Sequence, residues 1–300
     1  MKELVIISGK GGTGKTSMTA AFASFAENSL LCDTDVDAAD LHLLLRPSVL
    51  EKHDFIGGSK AEIDPERCTE CGICVERCQF GAISDDFVVD QVECEGCGVC
   101  NAFCPADAIE FTPRKCGEWF ISATRFGPMV HAHLGIGEEN SGKLVSVIRK
   151  EARDMAEEKG HRMIITDGPP GIGCPVIAAI TGSTAVLIVV EPTLSGLHDM
   201  ERVADLAAHF KIPAMVCINK YDLNRDMTQV IEAETKKRNL LMVGRIPFDS
   251  AFTHAMVEAQ TILEYAADSQ LAQSVKTVWQ NVMSTEEFTR EEMHVIPTIK

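Results

Sequence analysis

Residues 4–16 read LVIISGKGGTGKT. A β-branched run that stops at glycine reads as a buried parallel strand, and Gly9 to Thr16 then satisfies the phosphate-loop pattern G-x-x-x-x-G-K-[ST]. Gly9, Gly11, Gly12 and Gly14, with Thr13 among them, let backbone N–H groups curl around phosphate oxygens. The Ala-rich stretch from Lys15 to Glu27 lacks Gly and Pro and suits a helix, whose N-terminus aims partial positive charge at the same anion. Lys15 is expected to reach the β- and γ-phosphates and Thr16 to hold Mg²⁺ through its hydroxyl, with Ser17 beside it in the nucleotide site.

Outward from this loop, short apolar runs alternate with helical patterns. Strands are expected at 30–35, 163–167, 185–190, 214–219 and 241–246, and helices near 142–159, 195–209, 227–238 and 266–283. Such alternation predicts an α/β fold with a mostly parallel, doubly wound P-loop NTPase sheet. Ligands of these sheets collect at the carboxyl ends of strands. Asp33 and Asp35 end the second strand, and Asp167 closes the next as a carboxylate able to bind Mg²⁺ through water. Gly168 to Gly173 is rich in Gly and Pro, so it is able to shift when the γ-phosphate is lost. His131 and His133 sit at i and i+2, on one face of a strand, and read as a surface or nucleotide-side pair, with a metal-binding pair as the alternative.

Between Lys60 and Phe111 the alternation breaks. The motif C-x2-C-x2-C-x3-C occurs at 68–78 and again at 94–104, and each copy runs on into a small apolar strand, GAIS at 81–84 and DAIEF at 107–111. We read a small α+β insert of bacterial ferredoxin type at residues 60–112, splitting a nucleotide domain into 1–59 and 113–300. In this pattern three thiolates hold one corner of a cubane and the fourth serves the other cluster. Cys68, Cys71, Cys74 and Cys104 are thus expected to hold one [4Fe–4S] cluster, and Cys94, Cys97, Cys100 and Cys78 the second. Zinc is the rival, but its CxxC pairs are usually separated by a longer gap. Cys32 and Cys217 fall within apolar strands and read as core thiols.

With Lys10 inside it, the loop resembles the deviant Walker A motif KGGxGK[ST] of the family that includes MinD, ParA, Mrp-type carriers and the nitrogenase iron protein. The resemblance implies that Lys10 crosses to the nucleotide of a partner subunit in a nucleotide-sandwich dimer, either a homodimer or a heterodimer with a paralogue. It also implies that Asp35 orients the attacking water, with Asp33 near the metal and Asp37 and Asp40 close enough to share the task. Asn219, in CINKYD, resembles the adenine-contacting asparagine, and Pro247 and Phe248, in IPFD, resemble the loop over the ring. The NKxD likeness of 219–222 keeps guanine as the alternative base. By likeness to the nitrogenase iron protein, Cys174 and Cys116 from each of two protomers are candidates for a third, shared cluster.

Composition narrows the function. Against 44 acidic residues stand 28 basic ones, for a net charge of −16, which argues against a sequence-independent grip on nucleic acid. No stretch reaches the ~18–20 apolar residues of a bilayer span, and no leader pattern is evident, so a cytoplasmic chain without membrane insertion is expected. Twelve cysteines in a reducing compartment call for metal rather than disulfides. The insert carries twelve carboxylates from Glu62 to Glu110 against Lys60, Arg67 and Arg77, a face for a basic partner. The leading expectation is an ATPase, using ATP and Mg²⁺, that couples a dimer switch to electron transfer through two [4Fe–4S] clusters to a redox partner. The alternatives are a cluster carrier that loads an apo-protein acceptor, and a MinD- or ParA-like positioning ATPase. The last is weakest, because the tail after Met283 has acidic pairs and Pro297 where a basic amphipathic membrane helix is needed.

Overall fold

The apolar run at the start of the chain forms the buried strand β1 (Lys2–Ser8). The computed structural model describes residues 1–135 and 141–290, so the end of the tail with Pro297 lies outside the described residues. In chain order the remaining strands are β2 (Ser29–Asp33), β3 (Ser48–Ile63), β4 (Ile109–Thr124), β5 (Gly127–Leu134), β6 (Met163–Pro170), β7 (Ala185–Val190), β8 (Ala214–Asn219) and β9 (Leu241–Ile246). They form one sheet in the order β3-β4-β5-β2-β6-β1-β7-β8-β9. The pairs β5–β2, β2–β6, β6–β1, β1–β7, β7–β8 and β8–β9 are parallel. Arg125 and Phe126 alone join β4 to β5, a connection short enough only for antiparallel neighbours.

The chain divides into two compact units. The first holds residues 1–52 and 120–133 and the chain from Ser141 onward. Its central strands are buried on both faces, which explains their continuous runs of Val, Ile and Leu. On one face the helices Lys15–Ala23 and Gln270–Met283 close over them, with Trp279 packed on Phe22 and Phe25 at ring-centroid distances of 5.2 and 6.2 Å. Glu3, near the start of β1, is buried against Arg149 and Arg153, with N–O distances of 2.8 and 2.6 Å.

Register fixes the site. Asp33 pairs with Asp167 across β2 and β6, and Ile6 pairs with the same Asp167 from β1. The phosphate loop, the Asp33–Asp35 turn and Asp167 therefore emerge together at the carboxyl edge of neighbouring strands.

The second unit comprises His53–Trp119 with Leu134 and Gly135. Its limits lie outside the composition break at Lys60 and Phe111, because β3 and β4 carry the chain in and out as long strands. Their outer parts are tied within this unit by the stacked rings of His53 and Trp119, 4.0 Å apart, and by Lys115 between Asp54 and Glu118, both at 2.6 Å.

Candidate functional site

Two glycines of the loop adopt left-handed backbone, Gly12 at φ 77° and Gly14 at φ 93°. A Cβ on Gly14 would also stand 2.5 Å from the Asn219 side-chain nitrogen, so this position is closed to larger residues on two grounds. The following helix begins at Lys15, whose buried ammonium lies 3.8 Å from Asp35 Oδ2. Thr16 Oγ1 donates to Asp167 Oδ2 at 2.6 Å, and Thr19 Oγ1 donates to Asp167 Oδ1 at 3.0 Å. The backbone of the same aspartate is held too: its carbonyl accepts from the N–H and the hydroxyl of Thr34, each at 2.8 Å.

Asp33 does something different from its expected place near the metal. It is fully buried, and its two oxygens accept the backbone N–H groups of Asp35 and Leu41 at 3.2 and 3.3 Å. It pins the turn that carries Asp35. Asp37 and Asp40 are exposed. Burial pushes the Asp35 carboxyl up to about 6, with Lys15 pulling the other way and Asp167, Asp37 and Asp40 adding to the rise. Asp33 is raised by burial and then by Asp167, and Asp167 is raised by burial against Lys15, Thr16 and Thr19. Lys15 opposes the rise at Asp35 and Asp167, and a divalent cation beside these two carboxyls would favour their ionised forms in the same way. Among the described residues no three His, Cys, Asp or Glu side chains converge on a single point.

On the other side of the loop, Asn219 faces the chain itself. Its amide donates to the Thr13 carbonyl at 2.8 Å, and its oxygen accepts from the Lys220 N–H at 3.0 Å. Lys220, in the left-handed region at φ 57°, reaches back to the Gly12 carbonyl at 3.2 Å and to Glu191 at 2.5 Å. Asp222 Oδ1 accepts the Phe248 N–H at 2.7 Å, which fastens the Pro247–Phe248 loop and leaves the Phe248 ring exposed. Two of these partners, Glu191 and Thr19, were invisible to motif reading. Glu191 follows β7 by one residue and meets the loop only through the sheet, whereas Thr19 stands one helical turn beyond Lys15, a spacing that puts both on one face.

Gly168 packs closely on Ile7, and Gly171 returns to β1 through its N–H to the Ser8 carbonyl at 2.9 Å. The segment thus starts as strand, since β6 runs to Pro170. Cys174 is exposed at the first turn of the helix Cys174–Ile180. Cys116, by contrast, is 3% exposed, and its thiol donates to the Arg114 carbonyl at 3.5 Å. His131 and His133 both stack on Phe120, at 5.1 and 5.5 Å, and burial lowers His131 to about 4. Cys32 and Cys217 are core thiols, and burial pushes Cys217 up to about 12.

In the second unit the two cysteine copies repeat in backbone as well as in sequence. Glu70 and Gly96, Gly72 and Gly98, and Gly81 and Asp107 take left-handed φ at matching places. The Asp64 carbonyl accepts from the Cys68 N–H and the Asp90 carbonyl from the Cys94 N–H, both at 3.0 Å. The copies then interlock, Asp64 N–H donating to the Ala108 carbonyl at 2.8 Å and Asp90 N–H to the Ala82 carbonyl at 2.7 Å. Two small cavities result. One is lined by Cys68, Cys71, Cys74 and Cys104, the other by Cys78, Cys94, Cys97 and Cys100. Ile63, Phe87 and Ile109 wall the first, and Ile83, Val89 and Phe111 the second. A donor set of four sulfurs around an apolar hollow fits a four-iron core, which keeps its ligands farther apart than a single ion does. Cys104 Sγ accepts the Ala108 N–H at 3.3 Å.

A strand, a glycine-rich loop and a helix, with a threonine and a strand-end aspartate bonded behind the lysine, define a P-loop nucleotide-binding protein. Residues 4–262 match the CobQ/CobB/MinD/ParA nucleotide binding domain, and the chain belongs to that family. It is 32% identical over 283 residues to the uncharacterized protein MJ0578 of Methanocaldococcus jannaschii, covering 93% of this chain and 96% of the relative. A second protein of that organism, the uncharacterized MJ0579, is 25% identical over 278 residues, covering 88% and 94%. Among solved structures, the cell division ATPase MinD of Pyrococcus furiosus aligns with TM-score 0.58 at 18% identity, covering 94% of this chain and 98% of that one. The septum site-determining protein MinD of Pyrococcus horikoshii, complexed with Mg-ADP, aligns with TM-score 0.59 at 17% identity, covering 94% and 96%. These structural likenesses establish the shared fold.

Proposed function

We propose that this chain is an ATP-hydrolysing iron–sulfur protein in which nucleotide state governs electron transfer. The observation that carries the proposal is the pair of cavities whose cysteine linings follow the crossed partition expected of a two-cluster ferredoxin. Cys68, Cys71, Cys74 and Cys104 would hold one [4Fe–4S] cluster and Cys94, Cys97, Cys100 and Cys78 the other, and the pair when bound supplies one-electron chemistry. The insert's acidic surface suits a basic redox partner.

At the nucleotide, Lys15 would offset phosphate charge, and Thr16 and Asp167, bonded to each other, would hold Mg²⁺. Asp35, with a carboxyl near 6, is ionised at neutral pH and able to accept a hydrogen bond from the attacking water. Lys10 crosses to the nucleotide of a second protomer, identical or paralogous, as the family resemblance implies. Adenine is the favoured base, because Asp222 spends one carboxylate oxygen on Phe248 and so lacks the free pair that guanine's two N–H donors require.

The test is the rate at which anaerobically prepared, reduced protein passes electrons to a small-molecule acceptor with MgATP, MgADP or no nucleotide. The rate moves with nucleotide in the parent and not in Lys15→Ala, while iron stays bound through many turnovers. Identical rates in all three states contradict gating, and iron appearing in an added apo-protein points to the carrier role. The structural neighbours favour a second reading, a positioning ATPase in which nucleotide state controls partner binding alone. That reading predicts full ATPase activity and partner response after all eight insert cysteines are changed to serine.

A further inference from the structure

Glu191 stands just past β7 with its side chain 15% exposed, and its carboxylate faces two lysines of the same chain. Lys220 Nζ donates to Oε1 at 2.5 Å, and Lys10 Nζ lies 3.4 Å from Oε2. The two lysines are held unequally. Lys220 has a second acceptor in the Gly12 carbonyl, at 3.2 Å, and is 28% exposed. Lys10 is 37% exposed, and Glu191 is the partner of its ammonium among the described residues. Its backbone is fixed, since the Lys10 carbonyl accepts from Ser8 Oγ at 2.5 Å, so only the flexible stem has to swing for the charge to leave. When it leaves, Lys220 still balances Glu191, and no orphan charge remains in the half-buried site.

We propose that Glu191 is a positioning residue that parks Lys10 on its own chain in the nucleotide-free protomer, and that pairing of two ATP-bound protomers draws Lys10 off it. This rests on the reading of Lys10 as a lysine that acts in trans. Parking sets a threshold: each protomer gives up one ion pair before it offers Lys10 to its partner, so pairing needs a higher protein concentration than it otherwise would.

The experiment is sedimentation velocity over a protein concentration series with Mg²⁺ and a non-hydrolysable ATP analogue, on the parent, Glu191→Gln, Lys10→Ala and the double variant. One partly exposed pair released in each of two protomers corresponds to an expected fall of about 2- to 30-fold in the pairing midpoint for Glu191→Gln. Glu191→Asp keeps the charge and is expected to restore the parental midpoint or approach it. In the Lys10→Ala background, changing Glu191 is expected to do nothing, which separates parking from any structural role of the carboxylate. Pairing of Glu191→Gln at the parental concentration or above overturns the proposal, as does an effect of Glu191→Gln that persists once Lys10 is gone. If Lys10→Ala itself pairs and hydrolyses like the parent, the trans-lysine reading falls; if it fails while Glu191→Gln behaves as the parent, parking alone falls.

Discussion

Asp35 carries the clearest titration in the nucleotide site. Its carboxyl, ordinarily near 3.8, is held near 6 in the folded chain, so the folded state binds this proton more tightly than the unfolded state. Stability from this group is therefore fully present below about 4 and is lost as pH rises through about 6. Asp33 and Asp167, raised by burial, act in the same direction. We expect Asp35→Asn to stabilise the nucleotide-free chain at pH 8 by on the order of 1–3 kcal/mol, with little gain at pH 4. Thermal unfolding of both proteins across this range checks it, and an equal gain at both ends contradicts the assignment. Gly14→Ala places a Cβ into left-handed backbone and against Asn219. The backbone penalty alone is about 1–2 kcal/mol, so a loss of stability of at least that size is expected in denaturant unfolding of the nucleotide-free chain, and unchanged stability contradicts the close approach.

At the scale of elements, the crossed repeat makes a specific demand. Cys78 sits in the first copy yet lines the cavity of the second. Cys78→Ser is expected to lose the cluster of Cys94, Cys97 and Cys100 and to spare that of Cys68, Cys71, Cys74 and Cys104, halving the insert's iron; loss of the Cys68 cluster instead would reverse the assignment. Elsewhere, Glu3 is buried between Arg149 and Arg153. Glu3→Ala strands Arg149 and is expected to cost about 3–5 kcal/mol in denaturant unfolding.

β1, β7 and β8 were legible in the sequence because strands buried on both faces are unbroken apolar runs. β3 was not, since its first six residues are exposed or nearly so and mix charge with Val49 and Leu50, and β4 contains Pro113. The phosphate loop and the cysteine copies were legible because local spacing makes them. The Glu191–Lys10–Lys220 contact was not, because β7, β1 and β8 bring those residues together only in the folded sheet. Asp33 shows the complementary limit: spacing marks it as an acid at a strand end, but only the fold reveals that backbone amides take both of its oxygens.

For the molecule as a whole, one polypeptide joins a family P-loop domain to a unit whose eight cysteines form two hollows. No helix of the described residues is long and apolar enough to cross a membrane. Lys15→Ala is expected to abolish nucleotide hydrolysis while leaving the iron content of the second unit unchanged, because the cysteine hollows are built within that unit alone. The most direct measurement is iron counting with EPR on protein purified without oxygen, reduced, and examined with and without MgATP. Eight irons per protomer on the insert cysteines and a [4Fe–4S] spectrum that changes when MgATP is added are expected. Iron-free protein, or a cluster spectrum indifferent to MgATP, would contradict the proposed function.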